Sequence, residues 1–437
     1  MSKMKNAPLV PITELLEDII DNRGKSCPTQ ATGFPLIATN CIKHSSIYPT
    51  FENIRYVSDE VLRTWFRAEL KPNDILFVNK GTPGRVCLVP EPITFCAAQD
   101  MIGLRANPNK VYYKYLFAIL RSNYIQEKIR NFYVGIAIPH FKKSDMDNLL
   151  IPVPEMELQI KIGDIYCQLS EKAENNNKIN LELESMAKTI YDYWFLQFEF
   201  PNKDGKPYKS SEGKMIWNEE LKREIPEGWE VGRLNQFIKQ DKGGDWGKEF
   251  PEGNYIEKVI CLRGADFPAI CGAAKLEAPD RFINKKNMFK TLKKGDLIIE
   301  ISGGSPTQST GRICYINTNV LNRFKNKLIT SNFCKAINLI DEDFMYWFYS
   351  LWRKLYDSGV FFLYEGKTTG IKNLLFEMLC RDYPIIIPIT DVIKKYNKKI
   401  EKLYDEIQQK LLENAELLSL RDFLLPLLMN GQVGFKD

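Results

Sequence analysis

At 437 residues, with 44% hydrophobic and 26% charged side chains, the chain has the composition of folded globular protein, and wholesale disorder is excluded. At roughly 150 residues per domain, that length allows about three units. The formal net charge of +5 permits a polyanionic partner without requiring one.

Residues 1–154 form a first block, with 19 Lys/Arg against 14 Asp/Glu. It opens on LVPITELLEDI and closes on the apolar strand LLIPVP. Between them, Leu70–Val89 reads as strand, Gly-rich loop and strand. Residues 155–200 hold a helix and are acidic, with 4 basic against 9 acidic side chains. Its positions Ile162, Ile165, Leu169, Lys172, Asn176, Ile179, Leu183, Met186, Ile190 and Tyr193 step by 3 and 4, the pattern of a heptad seam. A helix from Met156 to Tyr193 has 38 residues and spans about 57 Å at 1.5 Å per residue. Residues 201–224 are a linker, whose FPNKDGKPYKSSEGK stretch is rich in Gly, Pro, Ser and Lys. Residues 225–388 form a second basic block, 23 against 19, opening on WEVGRLNQFI and closing on PIIIP. Residues 389–437 carry a second helix, with a seam at Ile393, Tyr396, Ile400, Leu403, Ile407, Lys410, Asn414 and Leu417. Pro426 is expected to end it.

The order block, helix, linker, block, helix is an internal repeat. Ile162–Met186 lies on Ile400–Leu424 without a gap, matching Tyr166 with Tyr404, Lys172 with Lys410 and Asn176 with Asn414. Shared helical periodicity accounts for the apolar matches but not for these three. The blocks repeat as well, since LKPNDILFVNKGTPGRVCLV resembles LKKGDLIIEISGGSPTQSTGRICYI. Two seams in one chain pack most simply on each other, as an antiparallel coiled coil. The polar pair Asn176 and Asn414 either sets its register or interrupts it as solvated residues.

Catalytic motifs fail one by one. Two histidines, His44 and His140, are too few for a histidine-based hydrolase or metalloenzyme. Ten cysteines without a C-x-x-C pair disfavour zinc and redox sites and suit free thiols in a reducing cytosol. Gly24-Lys25-Ser26 and Gly366-Lys367-Thr368 lack the earlier P-loop glycine, which would fall at Ile19 and Phe361. A restriction-type nuclease centre fits only loosely, at Asp357, Glu365 and Lys367, or around Glu212-Gly213-Lys214. No signal-peptide core and no apolar run of roughly 18 residues is present, so the expectation is a soluble cytoplasmic protein without a membrane partner. The paired Gly-rich loops remain. Lys80, Thr82 and Arg85 in the first, and Ser305, Thr307, Gln308 and Arg312 in the second, are the candidate DNA contacts. Glycine lets backbone N–H groups approach phosphate, hydroxyl and amide side chains bond phosphates or base edges, and arginine can fork onto guanine.

Duplicated blocks, two seam helices, Gly-Asp-Leu before a Gly-rich loop, and the closing LRDFLLPLLMNGQV together resemble one family over nearly the whole chain. It is the DNA-specificity subunit of type I restriction-modification systems. The resemblance implies an α+β protein in which two pseudo-repeated α/β target-recognition domains each read half of a split duplex site. The two long helices would space them and dock two copies of a DNA adenine methyltransferase subunit, with motor-nuclease restriction subunits joining. Seam residues, together with Tyr193, Trp194 and Phe195, would serve packing and docking. The resemblance implies no catalysis and no cofactor in this chain, with S-adenosylmethionine, ATP and Mg belonging to the partner subunits. Two other readings stay open on the residues alone: a self-sufficient metal-dependent DNA nuclease, and a coiled-coil scaffold that binds no nucleic acid.

Overall fold

Ile75–Val78, wholly apolar, and Leu297–Glu300, apolar up to Glu300, are four-residue strands buried on both faces, and each organises one half of the fold. The computed structural model describes residues 7–21, 26–133, 139–272, 277–303, 305, 308–368, 371–429 and 432. The chain divides into two compact units. One is Met1–Asn175 with Glu413–Asp437, and the other is Asn176–Leu412. This division cuts both long helices near their middles rather than at their ends.

In the first unit, a four-stranded antiparallel sheet runs in the order Leu16–Asp21, Met101–Ala106, Ile75–Val78, Val86–Leu88. A three-stranded sheet centres on Phe34–Ile37, antiparallel to Arg55–Val57 and parallel to Cys96–Ala97. Leu9–Pro11 pairs with Leu150–Pro152 and ties the unit's start to its end. Side chains alternate along a strand, so Ile75 and Phe77 enter one core with helix Tyr113–Arg121. Leu76 and Val78 enter a second core with the three-stranded sheet.

The second unit repeats this topology strand for strand. Its four-stranded sheet runs Ile238–Gly243, Cys334–Leu339, Leu297–Glu300, Ile313–Tyr315. Tyr255–Leu262 lies antiparallel to Asp280–Asn284 and parallel to Lys327–Thr330. Glu230–Arg233 pairs with Pro384–Ile387. Helix Met345–Asp357 fills the core with Trp347, Phe348 and Trp352. Two elements are additional: a hairpin of Met215–Asn218 and Arg223–Pro226 from the linker, and a sheet of Ser302–Gly303, Ile371–Leu374 and Glu365–Thr368.

The turn before each central strand is equivalent in detail. Asp74 and Asp296 are buried, and each accepts the backbone N–H three residues earlier, Lys71 at 2.7 Å and Lys293 at 2.9 Å. Asn73 (φ 72°) stands where the second unit has Gly295 (φ 88°). Asn is the side chain that best tolerates this left-handed backbone, so the sequence departure preserves the turn. The buried carboxylates take different cations, a bidentate Arg105 on Asp74 and Lys242 at 2.8 Å on Asp296.

The first long helix spans Met156–Tyr191 and continues as a π-turn over Asp192–Leu196. Its buried line is Ile162, Tyr166, Ser170, Ala173, Asn176, Asn180, Leu183, Ala187 and Tyr191. That is eight steps over 29 residues, or 3.6 per step. The expected seam repeats at 3.5, so it drifts off the buried face by about 20° per heptad. Ile179, Met186 and Tyr193 consequently end 40%, 50% and 39% exposed, and Ile165 and Leu169 are only half-buried. The second long helix keeps Ile393, Tyr396, Ile400, Ile407 and Asn414 buried, with Leu403, Lys410 and Leu417 half-buried. Asn176 and Asn414 are therefore not solvated interruptions. Pro426 does not end the helix, which runs over Thr390–Met429. The proline lies on the exposed side, where water can satisfy the carbonyl it leaves unpaired.

Within each unit the two helices run antiparallel. In the first, Arg421 donates to Ser170 Oγ at 3.1 Å and covers the Tyr166 ring, while Lys172 pairs with Glu413. In the second, Tyr191, Trp194 and Phe195 all pack on Tyr396, and Gly272 sits against both Asn180 and Ile407.

Candidate nucleic-acid interface

The first Gly-rich loop joins Ile75–Val78 to Val86–Leu88 and is held from three sides. Gly84 N–H donates to Val78 O at 2.9 Å and closes the hairpin. The loop also pairs with the 139–141 segment, through Gly81 N–H to Pro139 O and Phe141 N–H to Asn79 O. Helix Asn123–Asn131 and the residues after it supply the third side: Gln126 Nε2 donates to Gly84 O at 2.8 Å and Tyr133 Oη to Pro83 O at 2.8 Å. Gly84 has φ 86°, and a Cβ there would press on Gln126 and Ile129, so glycine is required twice over. Lys80 projects into solvent and Arg85 is half-buried. Neither has an ion pair among the described residues. Thr82 Oγ1 is buried and has no hydrogen-bond partner among the described residues.

The second loop is longer and more heavily braced. Trp352 Nε1 donates to Gly311 O at 2.7 Å, as Gln126 does to Gly84 O in the first. Tyr356 Oη reaches Ser309 O. The hairpin of Glu365–Thr368 and Ile371–Leu374 covers the loop. The Glu365 carboxylate accepts from Ser309 Oγ at 2.8 Å and Thr310 N–H at 2.9 Å, and pairs with Lys372 at 2.9 Å. Burial pushes its pKa up, but Lys372 and these donors outweigh that and hold it below the usual range. Ser302 Oγ donates to Asn373 Oδ1. Ser305 and Gln308 face each other through paired backbone bonds of 3.0 and 3.2 Å, and Gln308 is exposed. Thr307 lies outside the described residues.

Arg312 is not a free fork. Its Nε and Nη2 donate to the two oxygens of Glu300 at 2.8 and 2.7 Å. Glu300 is 5% exposed. The first loop has Val78 at the position of Glu300, as the matching backbone bonds Val78 N–H to Arg85 O and Glu300 N–H to Arg312 O establish. Sequence matching of Gly-Arg found both arginines, but it assigned no partner to either.

The nuclease constellation is not assembled. Glu365 is spent on the loop and Lys372, Asp357 pairs with Lys188 at 3.7 Å, and Lys367's side chain is outside the described set. Lys214 pairs with Glu227. Among the described residues no cluster of three His, Cys, Asp or Glu could hold a metal ion, and no helix is long and apolar enough to cross a membrane. Of the three aromatic residues expected for packing and docking, Trp194 and Phe195 are buried and only Tyr193 is exposed.

The type I restriction modification DNA specificity domain matches residues 16–185. The specificity subunit of the type I restriction enzyme MjaIX from Methanocaldococcus jannaschii is 25% identical over 373 residues, covering 83% of this chain and 78% of that protein. The specificity subunit of the type I restriction enzyme HindI from Haemophilus influenzae is 23% identical over 405 residues, covering 83% and 87%. In fold, the chain is similar to the crystal structure of a type I restriction-modification S subunit from M. genitalium, with TM-score 0.58, 16% identity and complete coverage of both chains.

Proposed function

We propose that this chain is a member of the type I restriction-modification DNA specificity family and that it reads a bipartite duplex site with its two units while performing no chemistry itself. The carrying observation is the duplication. Two units of identical strand topology each present a braced Gly-rich loop with different side chains, which suits two different half-sites. Lys80 and Arg85 in the first unit, and Ser305 and Gln308 in the second, are the reading residues this geometry favours. Arg312 supports the second loop through Glu300 and acts on DNA indirectly.

The chain also scaffolds its enzyme. Each unit carries exposed apolar side chains on its part of the long helices: Leu420 and Phe423 in the first, Leu181, Met186, Tyr193 and Leu412 in the second. These faces suit two copies of a DNA adenine methyltransferase subunit, with motor-nuclease subunits completing the assembly. S-adenosylmethionine, ATP and Mg would then be bound by those partners. The helices would set the interval between half-sites. Mapping methylated adenines genome-wide in cells with and without this gene tests the reading. A split motif that vanishes with the gene is the expected result, and unchanged methylation overturns it.

A further inference from the structure

The turn that ends at Asp296 is preceded by KKNMFKTLKK, residues 285–294, which holds five lysines and no acid. Lys285, Lys286, Lys293 and Lys294 are exposed, and none has an ion pair among the described residues. Phe289 stands among them at 67% exposure, on the 3-10 helix Lys285–Lys290. The fifth lysine, Lys290, instead donates to Gly244 O at 3.1 Å, and Asn287 Nδ2 reaches Asp245 Oδ2 at 2.6 Å. These bonds fasten a neighbouring loop that carries Trp246, whose ring stacks against Arg281, and the exposed Phe250. Of the nearby acids, Asp280 pairs with Lys258 and Asp296 with Lys242, while Glu342 lies against Gly295 and Glu257 stands opposite Ile283 on the adjoining strand.

The equivalent segment of the first unit, Asp59–Lys71, carries Arg63, Arg67 and Lys71 against Asp59, Glu60 and Glu69, and is neutral. Common topology therefore does not require the positive charge of 285–294. Four ammonium groups without an ion pair among the described residues, outnumbering the acids left beside them, repel one another, and that cost is relieved when a polyanion lies across them. We propose that Lys285, Lys286, Lys293 and Lys294 form a phosphate-backbone clamp on duplex DNA, peculiar to the second unit and separate from its Gly-rich loop. The clamp rests on the DNA-reading function above. It positions the duplex and adds affinity without selecting bases, because an ammonium on a phosphate carries no sequence information.

The test uses the full chain and a fluorescein-labelled mixed-sequence duplex, titrated at several salt concentrations. Each phosphate contact adds about 0.9 to the slope of log K against log salt. Converting the four lysines to glutamine should flatten that slope by about 2 to 4 and weaken binding at least tenfold near physiological salt. Arginine at the same four positions should restore it. An unchanged slope in the glutamine variant, beside a steep wild-type slope, overturns the clamp and leaves the DNA reading standing; it would point to an acidic protein as the occupant. A wild-type chain whose duplex binding is absent or salt-independent overturns both.

Discussion

Arg85 and Arg312 occupy the same place in two copies of one fold, yet they are different residues in physical terms. Val78 beside Arg85 offers no acceptor, so the first guanidinium has no ion pair among the described residues. Glu300 beside Arg312 takes the Nε/Nη2 edge of the guanidinium with both of its buried carboxylate oxygens. A repeated motif conserves the backbone path. Whether its arginine is held in an ion pair depends on one neighbour across the hairpin.

The comparison breaks most visibly at its bracing. Trp352→Ala removes a fully buried indole and the donor to Gly311 O, and should destabilise the second unit by about 3–5 kcal/mol in chemical denaturation. Gln126→Ala, the matching change in the first unit, should cost less, about 1–3 kcal/mol, for its two hydrogen bonds to Gly84 O and Leu120 O. Equal losses would mean that the two loops are not braced independently.

Arg312→Ala leaves Glu300 buried and unpaired, and should cost about 2–4 kcal/mol of stability in denaturant titrations. Its effect on DNA should be confined to one half-site, and Arg312→Ala with Glu300→Gln should recover much of the stability. Arg85→Ala should do the reverse: almost no change in stability, but a loss of about 1–3 kcal/mol in specific DNA binding, confined to the other half-site. A large stability loss at Arg85 would reverse the assignment of reader and brace.

The smallest expected effect is in pH. Glu365 has a folded pKa below its unfolded one, so its contribution is present above the ordinary carboxylate range and lost as pH falls through the folded value. Glu365→Gln should therefore flatten the acid limb of the second unit's stability curve. The first unit's curve, followed by its own fluorescence or amide signals, should not move.

Much of the fold was legible in the residues. Leu-Lys and Asp recur at one offset, and Gly-Arg recurs after a longer second loop, because each does a local job: starting the turn, capping it, closing the hairpin. The second helix's seam was legible too. The first helix's was legible only in part: a 3.5-residue repeat and a 3.6-residue helix coincide at Ile162, Asn176 and Leu183 but part elsewhere, leaving Ser170 and Asn180 buried while Ile179 and Met186 face outward. Pro426 was misread for a related reason. A proline breaks a helix where its lost hydrogen bond is buried, and burial on one side of a helix is set by neighbours.

The chain alone therefore determined what depends on short range: two copies of one block, their turns, two long helices, and basic blocks separated by acidic or neutral stretches. Tertiary packing decided which residues are free to act. Glu365 braces a loop some 55 residues away in sequence, and Glu300 captures Arg312 across a hairpin. Such pairings follow from where distant segments meet, and no local spacing encodes that.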